Sequence, residues 1–121
     1  MFPMLSCFDL KAGVELRECQ EAMSTYVEHM RKKGLVADCD PVGTRRTDTI
    51  LDTDEDRSQR HFALMHVSDK AQSDEAVRHI ESREEPAASI HRELYAKLEN
   101  LVFICWEDVA PEPQANRNRQ E

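Results

Sequence analysis

Six consecutive apolar residues, Leu101-Val-Phe-Ile-Cys-Trp106, stand near the C-terminal end of the chain. Side chains of a strand alternate between faces, so this run places apolar groups on both, and both must be covered. The segment His61-Phe-Ala-Leu-Met-His-Val67 has the same character: Phe62, Leu64 and His66 share one face, and Ala63, Met65 and Val67 the other. Residues 4–11 read as a further strand, and Ala12-Gly13 turn the chain. Over 14–33 the period changes. Leu16, Cys19, Met23, Tyr26, Val27 and Met30 recur at steps of three and four, one face of a long amphipathic helix. Arg31, Lys32 and Lys33 suit the negative end of its dipole, and Gly34 the left-handed position that ends it. His29 falls opposite the apolar stripe and is predicted to be solvated.

Residues 36–48 are polar and carry Pro41 and Gly43, which predicts an irregular edge strand. Asp52 to Arg60 is a polar connection. A second helical region is predicted from Ser73, as N-cap before Asp74 and Glu75, with Val77 and Ile80 as its apolar face. Pro86 forces a break at Glu85 and suits the first turn of a new helix running to about Glu99. Ala87, Ile90, Leu94 and Leu98 form its stripe, flanked by Tyr95, and the last strand is predicted over 101–108. The order strand, helix, strand, strand, helix, strand is the ferredoxin-like βαββαβ arrangement, an α+β fold with a four-stranded antiparallel sheet and helices on one face. It occupies residues 1–109; the polar tail 110–121 is expected to be disordered. An apolar edge strand and a bare apolar sheet face both call for cover. A homodimer, packed through the sheet face and last strand, supplies it.

At 121 residues the chain is long enough for one unstapled core. Its net charge of −8 argues against nucleic acid and anionic membrane surfaces as partners. No stretch approaches the ~20 apolar residues of a membrane span, and the N-terminus lacks the basic start of a signal peptide. Cys7, Cys19, Cys39 and Cys105 are scattered among apolar neighbours without a C-x-x-C pair, which is the usage of a reduced, cytoplasmic protein.

The helix ending Arg31-Lys-Lys-Gly34, the strand His61 to Val67, the stripe Ile90-His91-Arg-Glu-Leu-Tyr95 and the strand Leu101 to Trp106 together resemble the dimeric α/β-barrel superfamily, over about residues 4–109. Within it the chain looks closest to small uncharacterised bacterial ferredoxin-like proteins. The resemblance implies two subunits packed sheet against sheet, with edge strands helping to close a barrel. Better-understood members include cofactor-free antibiotic-biosynthesis-type monooxygenases, muconolactone isomerases, haem-degrading enzymes and chlorite-dismutase-like haem proteins. They use the cleft between helices and sheet, or the barrel interior. No catalytic residue carries over from them, because a shared fold does not transfer a site.

Asp52-Thr-Asp-Glu-Asp56 begins like a calcium loop, but Arg57 stands where glycine is required and Ala63 where glutamate is required. It reads as an acidic turn. No two of the five histidines have zinc-site spacing on one helix face, and three glycines leave no phosphate loop. No cofactor and no metal site is read from the chain. His91 lies within the arc of Ile90, Leu94, Tyr95 and Leu98 and so faces the sheet, with Tyr95 as its i+4 neighbour. It is either a core histidine bonded to Tyr95 or backbone, or a proton donor or acceptor in a pocket. His66, beside Phe62 and Leu64, carries the same two readings, and a ligand pocket would have His91 and Tyr95 on its helix side and His66 on its sheet side. Trp106 either walls such a pocket or packs in the core or dimer. Arg45-Arg46 pairs with nearby acids or holds an anion. Two functions follow: a small enzyme of monooxygenase or isomerase type acting on a hydrophobic or aromatic molecule, or a non-catalytic binding or structural homodimer.

Overall fold

The computed structural model describes residues 1–110; from residue 111 onward the expected tail lies outside the described residues. Eight elements follow in order: β1 (Met4–Leu10), α1 (Leu16–Lys32), β2 (Asp38–Cys39), β3 (Gly43–Thr44), β4 (His61–His66), α2 (Lys70–Glu81), α3 (Ala87–Tyr95) and β5 (Leu98–Cys105). The sheet has the order β2-β4-β1-β5, with β3 also on β4 and every pair antiparallel. This is the ferredoxin-like arrangement.

Register sorts the strand residues by face. Met4 pairs with Met65, Ser6 with Ala63 and with Phe103, and Phe8 with His61. Phe8, Ala63 and Met65 join Cys19, Met23, Tyr26 and Met30 of α1 and Leu94 of α3 in one core, with Ala76 and Ile80 of α2 packed against it. Helices therefore cover a single face. Leu5, Cys7, Phe62, Leu64, Val102 and Ile104 occupy the other. The end of α1 is closed by Gly34, at φ +71°, whose N–H donates to the Arg31 carbonyl at 2.9 Å, as the sequence predicts.

Several boundaries differ from the sequence reading. α2 starts at Lys70, not near Ser73, because Asp69 caps it: its carboxylate accepts the Gln72 N–H at 2.8 Å. α3 stops at Tyr95, so Leu98 belongs to β5 and not to a helical stripe. Leu98 pairs with Leu10 and is buried, which a strand allows and one more helical turn would not. Between Cys7 and Asp9 the β1–β5 register shifts, and Asn100 sits at φ +55°. Two residues of β5 thus oppose Phe8, a β-bulge that keeps both Leu98 and Leu101 toward the helices. Asp9 braces it, accepting from Asn100 Nδ2 at 3.0 Å and from the Arg60 N–H at 2.9 Å. β5 ends at Cys105, so Trp106 lies past the strand and is 42% exposed.

His29 is not solvated as predicted. Its Nε2 lies 2.9 Å from Nε2 of His79, joining α1 to α2. The ring centroids are 5.2 Å apart and the planes differ by 19°. That separation matches the nitrogen–nitrogen distance plus a ring radius at each end, so the rings meet head to head. One imidazole donates and the other accepts, which double protonation forbids. Burial, then His79 and Lys33, lower the His29 pKa. A lowered histidine pKa means the unfolded chain takes up the proton first. Stability is therefore complete above about pH 6.5, the unfolded value, and is lost as pH falls through the lower folded value. His91, lowered by burial, acts in the same direction. Thermal melts between pH 8 and pH 5 should show the melting temperature falling below about pH 6.5, with a shallower fall in His29→Gln. An identical profile in the variant would show that the pair does not carry the effect.

Candidate functional site

α3 and α1 bring three polar aromatic groups together on the helix side of the sheet. His91 and Tyr95, one turn apart on α3, have ring centroids 4.4 Å apart. Tyr26 of α1 lies 5.9 Å from His91 and 6.3 Å from Tyr95, and Phe103 of β5 lies 6.4 Å from Tyr95. Tyr26 is buried, His91 and Tyr95 are half-buried, and Phe103 opens the cluster toward solvent at 47% exposure.

Burial sets the protonation states. It lowers the His91 pKa, so the imidazole is neutral at pH 7 and keeps one free lone pair. It pushes the Tyr95 phenol up to about 12 and raises Tyr26 as well, so both phenols keep their protons. No side-chain hydrogen bond joins His91, Tyr95 or Tyr26 to other described residues. His91 touches Tyr95 ring on ring, where the sequence allowed a hydrogen bond. A proton acceptor and two proton donors thus stand side by side, with their capacity unspent.

The structure does not bring His66 to this cluster. Met65 points into the core, so His66 points to the opposite face of the sheet. There its Nε2 lies 3.0 Å from Asp40 Oδ1. His66 and His91 are separated by the sheet itself, and the shared pocket does not form. Trp106 also lies apart, its backbone N–H donating to the Pro3 carbonyl at 3.3 Å. Tyr26 is the member the sequence reading did not single out. It was visible as a core position of α1, and the one usable signal was a phenol on a stripe bound to meet α3.

The outer sheet face carries a second feature. A groove of 580 Å³ has Leu5, Cys7, Phe62 and Ile104 as its floor and the 45–57 loop as its wall. Cys7 is 1% exposed, and burial raises its thiol pKa. Arg45 holds the loop together: Nε and Nη2 donate to the two Asp52 carboxylate oxygens at 2.6 Å each, and Nη2 also donates to the Asp54 carbonyl at 2.6 Å. Nη1 donates to the Arg57 carbonyl, while the Arg57 guanidinium donates to the Asp54 carboxylate. Those hydrogen bonds hold the Asp52 and Asp54 carboxyls below the usual range. Asp52 and Asp54 are thereby committed to arginine. Among the described residues no three His, Cys, Asp or Glu side chains group as a metal site. Further grooves lie between α1 and α3 (590 Å³) and between α1 and the β2–β3 edge (450 Å³); neither is lined by His91 or Tyr95. No described helix is long and apolar enough to cross a membrane.

Residues 1–120 match the model of a family described as a family of unknown function, DUF6614, and the chain belongs to it. No protein of curated function matches the sequence. Among solved structures, a dimeric ferredoxin-like protein of unknown function from Jannaschia sp. CCS1 is 13% identical with TM-score 0.61, covering 88% of this chain and 98% of that one. The hydroxynitrile lyase of Passiflora edulis is 12% identical with TM-score 0.63, covering 93% of this chain and 96% of that one. An antibiotic biosynthesis monooxygenase is 15% identical with TM-score 0.57, covering 91% of this chain and 100% of that one. At such identities the likeness is one of fold. The fold is that of the dimeric ferredoxin-like and antibiotic-biosynthesis-monooxygenase-like proteins.

Proposed function

We propose that the protein is a homodimeric α/β barrel and a cofactor-free enzyme of monooxygenase or isomerase type, acting on a hydrophobic or aromatic small molecule beside His91. The observation that carries this reading is a half-buried imidazole, kept neutral by burial, against two protonated phenols with no protein partner for any of the three. Both reaction types begin by taking a proton from an acidic O–H or C–H. His91 accepts it, while Tyr95 and Tyr26 donate hydrogen bonds to the oxygen on which negative charge collects. Phe103 offers the apolar wall. Dimerisation is supported by the apolar outer face and by the dimeric relative from Jannaschia. Four free cysteines, two of them buried, favour a cytoplasmic setting. His66 and Trp106 stand outside this site, and His66 lies on the face the second copy would cover.

The test uses deuterium uptake by aryl ketone and phenol probes, followed by NMR in D₂O. The protein should accelerate uptake over buffer. His91→Gln should reduce that rate by about 10²–10⁴-fold, the usual worth of a positioned acid or base, at an unchanged melting temperature. Equal losses of stability and rate would make the cluster structural. A second reading, a non-catalytic binding dimer, is favoured by the outer-face groove with its apolar floor. It would be upheld by saturable binding of an aromatic probe that perturbs Phe62 and Ile104, with no accelerated uptake.

A further inference from the structure

We propose that the 45–57 loop is a preformed arm whose tip, Ile50-Leu51, docks on a second copy of this chain and completes the wall of the outer-face groove. This rests on the homodimer reading. It adds which segment reaches across and what the contact encloses.

Ile50 is 93% exposed and Leu51 85%, side by side at the tip of one loop. Single exposed apolar residues are ordinary. An adjacent pair on a rigid tip is not, and here the tip is rigid. Arg45, with its side chain only 13% exposed, bonds to Asp52, to the Asp54 carbonyl and to the Arg57 carbonyl, so one guanidinium ties three points of the loop. A segment held this way loses little freedom on docking. Leu51 also lines the groove whose floor is Leu5, Cys7, Phe62 and Ile104, so the arm stands at the rim of the apolar face.

Charge identifies the partner. The chain carries −8, and two copies repel wherever unpaired acids meet. On this face the arginines and acids of the rim are paired within the loop: Arg45 with Asp52, Arg57 with Asp54, and Arg46 with Asp48 at 2.5 Å. The floor is uncharged. Glu55 and Asp56 of the loop form no ion pair among the described residues, but they do not line the groove. Within the groove neither a basic nor an acidic partner finds a free counter-charge, whereas an identical neutral, apolar face fits. Two-fold packing is reciprocal, so each tip lies on the other copy and each groove gains a wall from its partner.

Sedimentation equilibrium of the full chain tests this, with Ile104→Asp as the control for the face. The double variant Ile50→Ser, Leu51→Ser should raise the dimer Kd by roughly 10–100-fold, the loss expected of two apolar anchors, with the circular dichroism spectrum unchanged. Ile50→Asp should act in the same direction. A dimeric wild type that Ile104→Asp dissociates, but whose Kd neither tip variant changes, would overturn the arm and leave the homodimer standing. A wild type that stays monomeric at 100 μM or so would overturn both.

Discussion

Phe8→Ala is expected to cost about 3–5 kcal/mol, the range for emptying an aromatic site in a packed core. Phe8 is 0% exposed on β1, which lies between β4 and β5. Its neighbours cannot close the gap. On one side it opposes the β5 bulge, where Asp9 holds the Asn100 side-chain amide and Gln59 Nε2 donates to the Asn100 carbonyl at 2.7 Å; on the other its ring lies 6.0 Å from His61. At about 4 °C per kcal/mol for a domain of this size, the melting temperature should fall by about 10 °C or more. Thermal and denaturant unfolding measure this directly. A loss below about 1 kcal/mol would mean that the bulge region relaxes and that the core is not centred on this ring. Val77→Ala, at a half-exposed position of α2, should change stability little and serves as the reference.

Ile104→Asp is expected to convert a dimer to a monomer without unfolding it. Ile104 lies on the outer face opposite Leu5, in the floor of the groove, and takes no part in the helix-side core. In an isolated subunit the new carboxylate reaches water at little cost. Against a second apolar face it would be buried without a partner, at a cost of several kcal/mol, enough to empty a micromolar dimer at working concentrations. Sedimentation velocity should show the halved mass, with the melting curve of the folded monomer retained. A dimer that persists would move the interface away from this face. Phe103→Asp is a different experiment: Phe103 pairs with Ser6 on the helix side, so its effect reports on the aromatic cluster.

How far the chain could be read in advance depended on the range of the interaction. Element order, the α1 stripe and the Gly34 stop follow from local periodicity, and the structure keeps them. The Pro41 interruption was legible for the same reason, since proline breaks an edge wherever it falls. Leu98 was misplaced because a leucine continuing an i, i+4 series looks helical, while its pairing with Leu10, 88 positions earlier in the chain, is invisible locally. The His29–His79 bond spans two helices and was hidden likewise. In the candidate site, the His91–Tyr95 pair was legible from one turn of helix. Tyr26 needed the packing of α1 on α3, and the separation of His66 needed the sheet to decide which face belonged to the core. Trp106 was read as part of a strand that stops one residue earlier. The pairing of Arg45 with the acidic turn was foreseen in kind, but its burial was not, because the loop closes on itself only in three dimensions.

The bulge opposite Phe8 has a bearing on how such chains can change in length. β5 holds Leu98 and Leu101 toward the helices only because one extra residue, Asn100, is accommodated between them. Deleting Asn100 would leave Leu98, Leu101, Phe103 and Cys105 at alternate positions of a regular strand, so each would keep its face toward the helices. Losing Val102 instead would turn Phe103 and Cys105 outward and Ile104 inward, exchanging the aromatic wall of the His91 cluster for a residue of the groove floor. Length variation among relatives should therefore be tolerated at the bulge and in the loop beyond the Arg45 tie, and rare between Leu101 and Cys105.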